Sequence, residues 1–178
     1  LANFNTLAIS REQFVNISEI TNLNALNRLW LNGELTSGDF NAIFGLTDLE
    51  HLALAWNDYL DDAALVQITA NLSQLTSLGI EGTLVSNLSS LTSLTGLREL
   101  SINRSKVTDL AVLFDGGDHS NALAFPLVQI NIDELAVIED GDLDAQVQAL
   151  RDKGVQVDGQ LAYGPSITEA LDNISDPQ

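Results

Sequence analysis

At 178 residues, with 45% hydrophobic and 18% charged side chains, the chain suits one folded domain and is too apolar to be disordered. A formal charge of −18 and a pI near 4.1 would repel phosphate backbones and anionic lipid, which argues against nucleic acid and membrane surfaces as partners. Zero cysteines exclude disulfides, thiolate metal sites and a cysteine nucleophile, and no apolar run approaches the roughly 18 residues of a membrane-spanning helix.

The first feature in chain order is an apolar triplet, Phe4-Leu7-Ile9, with the spacing L-x-x-L-x-L. It returns as Leu26-Leu29-Leu31, Leu49-Leu52-Leu54, Leu75-Leu78-Ile80 and Leu97-Leu100-Ile102, and less regularly as Leu127-Ile130-Ile132. The middle residues are separated by 22, 23, 26, 22 and 30 positions. A recurring L-x-x-L-x-L is the signature of leucine-rich repeats. It predicts an α/β solenoid with a curved parallel sheet on the concave face and short helices and loops on the convex side. In each turn the L-x-L pair forms a short strand, its apolar residues inward and the residue between them outward. Leu46, Leu72, Leu88, Leu91 and Leu94 close the core from behind. The chain opens at Leu1 inside a repeat, which predicts a truncated first repeat and a piece of a longer or processed protein; nothing at its start resembles a signal peptide.

The longer turns carry inserted elements. A short helix is expected over Ser37 to Phe44. A second follows from Asp61 to Leu72, where Asp precedes an apolar run with Leu65, Ile68 and Leu72 three and four residues apart. The 30-residue turn holds TDLAVLF, read as another helix, and then DGGDHSN, Asp115 to Asn121, an exposed loop by its Gly, Asp and Asn content. From Asp142 the pattern changes: Leu143, Val147 and Leu150 share a helical face that Gly154 ends, and Val155 and Val157 alternate as a last strand over the open apolar edge. The organisation expected is repeats over 1–141, a capping helix and strand over 142–163, and a tail or linker over 164–178, with a short helix at TEALDNI.

The units GLTDLEHLALAWNDYLDD and LTSLTGLRELSINRSKVTDL resemble bacterial leucine-rich repeats of the internalin or SDS22-like type, a likeness that covers residues 1 to 157. The resemblance implies a binding surface without naming its ligand, and LDAQVQALRDKGVQV looks like the cap that ends such arrays. It also implies an Asn at the ninth motif position that bonds to the backbone of adjacent turns. Only Asn57 keeps it. Thr83 and Ser105 offer hydroxyls instead, and Glu12, Glu34 and Leu135 predict less regular turns.

Ligands of such repeats most often meet the concave strand face. Its outward positions here are Asn5, Thr6, Ala8, Ser10 and Arg11; Asn27, Arg28, Trp30, Asn32 and Gly33; Glu50, His51, Ala53, Ala55 and Trp56; Thr76, Ser77, Gly79, Glu81 and Gly82; Arg98, Glu99, Ser101, Asn103 and Arg104; and Val128, Gln129, Asn131, Asp133 and Glu134. Four of the seven Lys and Arg (Arg11, Arg28, Arg98, Arg104) stand there against five acids (Glu50, Glu81, Glu99, Asp133, Glu134), a net of −1 on a chain of −18. Both tryptophans share that face, and interfaces are enriched in Trp and Arg. The expected contact is with a protein or glycan, centred on Arg28, Trp30, His51 and Trp56 and extended by Glu81, Arg98 and Arg104. A local alternative stacks Trp30 on Arg28 or a neighbouring strand residue and pairs the arginines with Glu50 and Glu99.

No catalytic residue is expected, since Glu50 beside His51 lacks a nucleophile and the only other histidine is His119 in the inserted loop. The runs Glu139 to Asp144 and Asp115 to Asp118 invite a calcium reading, but an EF-hand start at Asp140 would need Gly where Ala145 stands. Asp142 or Asp144 capping the last helix explains the same residues, so no cofactor is expected. The N-x-S sequons at Asn16, Asn71, Asn87, Asn103 and Asn173 read as chance products of Asn- and Ser-rich turns. The chain thus reads as a non-catalytic recognition module of a larger secreted or cell-surface protein. The competing reading is a structural spacer in a bacterial adhesin or filament.

Overall fold

The computed structural model describes residues 5–10, 17–33, 35–137 and 142–163. Expectations placed on Phe4, Arg11, Glu12, Asn16, Glu34, the Glu139 to Gly141 part of the acidic run and the tail lie outside these residues. Among these residues there are nine strands: β1 Thr6–Ser10, β2 Arg28–Asn32, β3 His51–Ala53, β4 Ser77–Gly79, β5 Glu99–Ser101, β6 Gln129–Asn131, β7 Ala136–Val137, β8 Gln156–Asp158 and β9 Ala162–Tyr163. Seven of them form one parallel sheet in the order β1-β2-β3-β4-β5-β6-β8, one strand per turn of a leucine-rich repeat solenoid, and β7 pairs with β9 beside it.

The register explains why the sheet forms. Leu7, Leu29, Leu52, Leu78, Leu100, Ile130 and Val157 pair in sequence across all seven strands, so one column of apolar side chains faces the core. A slip by one residue would turn that whole column to solvent. Behind it lie the column Leu31, Leu54, Ile80, Ile102 and Ile132 and the triplet openers Leu26, Leu49, Leu75, Leu97 and Leu127, all buried together with the five closing leucines. Each buried leucine contributes about 1.5–3 kcal/mol. Leu35, Leu60, Val85 and Val107 are also buried, a layer the motif does not signal because its distance from the strand changes from turn to turn.

Two expected helices form where the pattern places them. α1 covers Ser37–Phe44, and Asp39 reaches back to accept from the Thr36 N–H at 2.8 Å and the Thr36 hydroxyl at 2.7 Å. α2 covers Asp62–Asn71; Asp61 caps it by accepting from the Ala64 N–H at 2.9 Å, and Leu65 and Ile68 face the core. Asp62 on the first turn ties this helix to the next repeat, accepting from the Ser86 N–H, the Asn87 N–H and the Ser86 hydroxyl at 2.8 to 2.9 Å. Burial works to raise the Asp62 carboxyl, but these bonds outweigh it and hold the group below its ordinary value. A depressed folded-state pKa adds stability that is complete above the unfolded value, about 3.9, and is lost as pH falls through the folded one. Asp62→Ala is therefore expected to cost about 2 kcal/mol at neutral pH, with the difference from wild type shrinking below about pH 4. Urea titrations at several pH values check this, and a difference that stays constant with pH would refute it.

The third expected helix is not there. Thr108 to Phe114 supplies only a 3₁₀ turn, Ala111–Leu113, because Phe114 swings into extended geometry and pairs antiparallel with Leu123. Leu110, Leu113 and Phe114 are nonetheless buried, so the apolar spacing is satisfied by a turn and an extended residue. α3, Leu143–Asp152, buries Leu143, Val147 and Leu150 as expected, and β8 follows it to cover the edge of β6. Asp142 does not cap it: its carboxylate lies 2.9 Å from Nδ1 of His119. Gln146, also buried, locks α3 to the inserted turn by accepting from the Leu110 N–H at 2.7 Å and donating to Asp109 at 2.6 Å.

The ninth motif position behaves unevenly. Asn57 donates to the carbonyl of Gly33 in the preceding turn at 3.1 Å and accepts from the Tyr59 N–H at 3.2 Å. The hydroxyls of Thr83 and Ser105 bond only within their own turns, to the Ile80 carbonyl and from the Val107 N–H. Leu135 is fully buried and replaces the polar bond with packing.

Candidate functional site

Because the strands are in register, their outward residues form rows. One runs Thr6, Arg28, His51, Ser77, Glu99, Gln129, Gln156; the next runs Ala8, Trp30, Ala53, Gly79, Ser101, Asn131, Asp158. The second is bulky at Trp30 and nearly bare at Ala53 and Gly79. Over those small residues lies a depression of about 140 Å³, bounded by Ser77, Ser101, Gln129 and Asn131, with Glu81 and Glu99 supplying carboxylates. Its size suits one side chain rather than a small-molecule ligand, whose pockets run to about 300–1,000 Å³.

Past the strands the backbone bends into the left-handed region at one recurring position. Gly33, Trp56, Gly82, Arg104 and Glu134 all have positive φ there, and each donates its N–H to a carbonyl of the next turn. Glycine accepts this conformation freely. Trp56 at φ 59°, Arg104 at 55° and Glu134 at 56° do not. These three form a ladder along the rim of the strand face. The Arg104 guanidinium lies 5.6 Å from the centroid of the Trp56 ring and grips Glu134 with two bonds, of 2.7 and 2.6 Å. The bidentate grip holds the Glu134 carboxyl below its ordinary range and raises the guanidinium further above its own. Between the two rungs the Trp56 ring lies across Gly82, where an added Cβ would sit 2.4 Å from its Cε3. The ladder is nevertheless open to solvent, with Trp56 52% exposed.

The seven residues expected to meet a ligand therefore divide. Arg28, Trp30 and His51 face outward on β2 and β3, with Arg28 registered beside His51 and Trp30 beside Ala53. Trp56 and Arg104 meet on the rim, Glu81 turns into the depression, and Arg98 is exposed at the start of β5. Of the pairings in the local alternative, no ring contact joins Trp30 to Arg28 and no ion pair involves Glu50 or Glu99 among the described residues. Arg104 pairs with Glu134 instead. Gln156 and Asp158 also stand on this face, beyond the expected positions, where the alternation around Val157 places them. Asp158 accepts from the Gln129 side chain at 2.9 Å and closes the row. Exposed Tyr59 is also outside the expected positions; it borders a hollow of about 420 Å³ between α1 and α2 with Phe40 and Phe44. Among the described residues no three His, Cys, Asp or Glu side chains converge on a common point, and no helix is long and apolar enough to cross a membrane.

No protein-family model matches the chain, and no curated protein matches it at a significant level. Among solved structures it is similar to an internalin C2 from Listeria monocytogenes, at 23% identity and a TM-score of 0.49, covering 69% of this chain and 50% of the other. It is also similar to an internalin (inlF) from the same organism, at 19% identity and a TM-score of 0.47, covering 85% of this chain and 53% of that one. The chain thus spans about half the length of these structures. Both are internalins, the bacterial type that its repeats resemble.

Proposed function

We propose that the chain is a non-catalytic recognition module that binds a partner protein through its strand face, with the Trp56–Arg104–Glu134 rim as the anchor. The observation that carries this reading is the strain of the ladder. Left-handed non-glycine residues cost about 1–3 kcal/mol each and collect where function requires them; three recur here at a position where glycine would serve the fold as well. The cost is spent on presenting an exposed tryptophan and arginine, the residue types that dominate binding hot spots, in one fixed geometry. We place the module outside the cell, in a longer secreted or surface protein; antibody labelling of intact producing cells would support this, and labelling only after lysis would overturn it.

The test is to pan a phage-displayed library of random peptides, with a glycan array in parallel, against the purified domain and its Trp56→Ala and Arg104→Ala variants. Retained peptides are expected to lose at least about tenfold in affinity with Trp56→Ala, the scale of a hot-spot truncation, while thermal stability changes little. Retention on the glycan array alone would redirect the reading to carbohydrate. Retention indifferent to Trp56, or none at all, would leave the spacer.

A further inference from the structure

We propose that the depression on the strand face is a receptor for one basic side chain, a lysine or arginine of the partner protein, with Glu81 as its counter-ion. The inference rests on the recognition reading and names the chemistry of what enters. Its starting point is an imbalance of hydrogen bonding. Oε2 of Glu81 is buried and has no partner, and the Ser101 hydroxyl oxygen, which borders the same depression, is buried and unpartnered too. Buried polar atoms are paired in the great majority of cases, so each exception calls for an explanation. Among the described residues no cation pairs with Glu81: Arg104 is committed to Glu134 and Lys153 to the carbonyl of His119.

The carboxylate is also seated. A Cβ at Gly79 would lie 2.9 Å from Oε2 and 3.2 Å from Oε1 of Glu81, so the bare Cα of Gly79 is what lets the carboxylate lie down on the sheet. Glu99 borders the same depression and adds a second negative charge. An ammonium offers three donors and no acceptor, and a guanidinium five donors, which matches a site that presents carboxylates and a hydroxyl oxygen. A metal ion fits less well, because no three carboxylate or imidazole groups converge there. The net charge of −18 would draw a basic segment toward the face before it docks.

The experiment titrates the isotope-labelled domain with N-acetyl-lysine methylamide, and in parallel with its uncharged counterpart N-acetyl-norleucine methylamide, following backbone amide shifts. Saturable shifts at Gly79, Glu81 and Ser101 are expected with the lysine compound alone, weakened at least about tenfold by Glu81→Gln, an isosteric change that removes one charge. Gly79→Ala, which lifts the carboxylate off the sheet without removing it, is expected to weaken them as well, and Asp48→Asn, outside the lining of the depression, to leave them unchanged. Equal shifts from norleucine, non-saturating shifts spread over the acidic surface, indifference to Glu81→Gln, or no shifts at all would each overturn the proposal. Such a failure with Trp56-dependent retention intact removes only the receptor. Loss of the Trp56 dependence with lysine binding intact removes the recognition reading instead.

Discussion

Gly159→Ala is expected to destabilise the fold by about 3 kcal/mol, combining a left-handed non-glycine residue with an overpacked contact. At φ +96°, an added Cβ would lie 2.5 Å from the backbone nitrogen of Asp133 and 2.6 Å from its Cα. Neither atom belongs to a flexible side chain, so the main chain of the sixth turn has to move. That segment is heavily bonded: the Asp133 N–H donates to the Asn103 side chain at 2.7 Å, the Asp133 carboxylate accepts from the Gln160 N–H at 3.2 Å, and the Glu134 N–H donates to the Gln160 carbonyl at 2.7 Å. Loosening it frees β8 from β6 and opens the apolar end of the array, which solenoids require a cap to cover. Urea unfolding should show the loss, and amide exchange should accelerate first in β8. Gly96→Ala is the control, since nothing lies within 4 Å of a Cβ there; a Gly159→Ala effect within about 0.5 kcal/mol of that surface control would refute the prediction.

The contrast between the apolar columns and the rim explains what the sequence reveals. Leu29, Leu52, Leu78, Leu100 and Ile130 announce themselves because every turn needs the same chemistry at the same step, so the repeat, the sheet and its register can be read directly. The rim has no such signature. Gly33, Trp56, Gly82, Arg104 and Glu134 share a left-handed backbone and a place in the turn but no side-chain chemistry, and a backbone conformation leaves no trace in composition. Trp56 and Arg104 can be picked out as candidates for binding, yet their contact across the intervening turn depends on the bare Cα of Gly82. The depression is hidden for a related reason: Ala53, Ser77, Gly79 and Ser101 are bland one at a time and form a hollow only when the register sets them side by side. Where insertions break the period, as between Thr108 and Phe114, local spacing misleads because a buried 3₁₀ turn and a helix bury the same leucines.

Gly82→Ala is expected to reduce peptide retention as much as Trp56→Ala does, by at least about tenfold, although residue 82 itself would add only a methyl group. The new Cβ would lie 2.4 Å from Cε3, 2.7 Å from Cζ3 and 2.9 Å from Cδ2 of Trp56, so the indole must swing off the rim. Arg104 then loses the ring beneath it, a contact worth about 0.5–1 kcal/mol at an exposed site, while its grip on Glu134 survives. With the strain of alanine at φ +62°, the total loss of stability should be about 1.5–3 kcal/mol, too little to unfold the domain. Tryptophan emission in a Trp30→Phe background isolates Trp56 and should shift to the red as the ring becomes more hydrated. Binding depends on the geometry of the ladder if emission and retention change together. A red shift with unchanged retention in Gly82→Ala, alongside lost retention in Trp56→Ala, would mean that the partner needs the indole but not its alignment, and that the strain at Arg104 and Glu134 has some other origin.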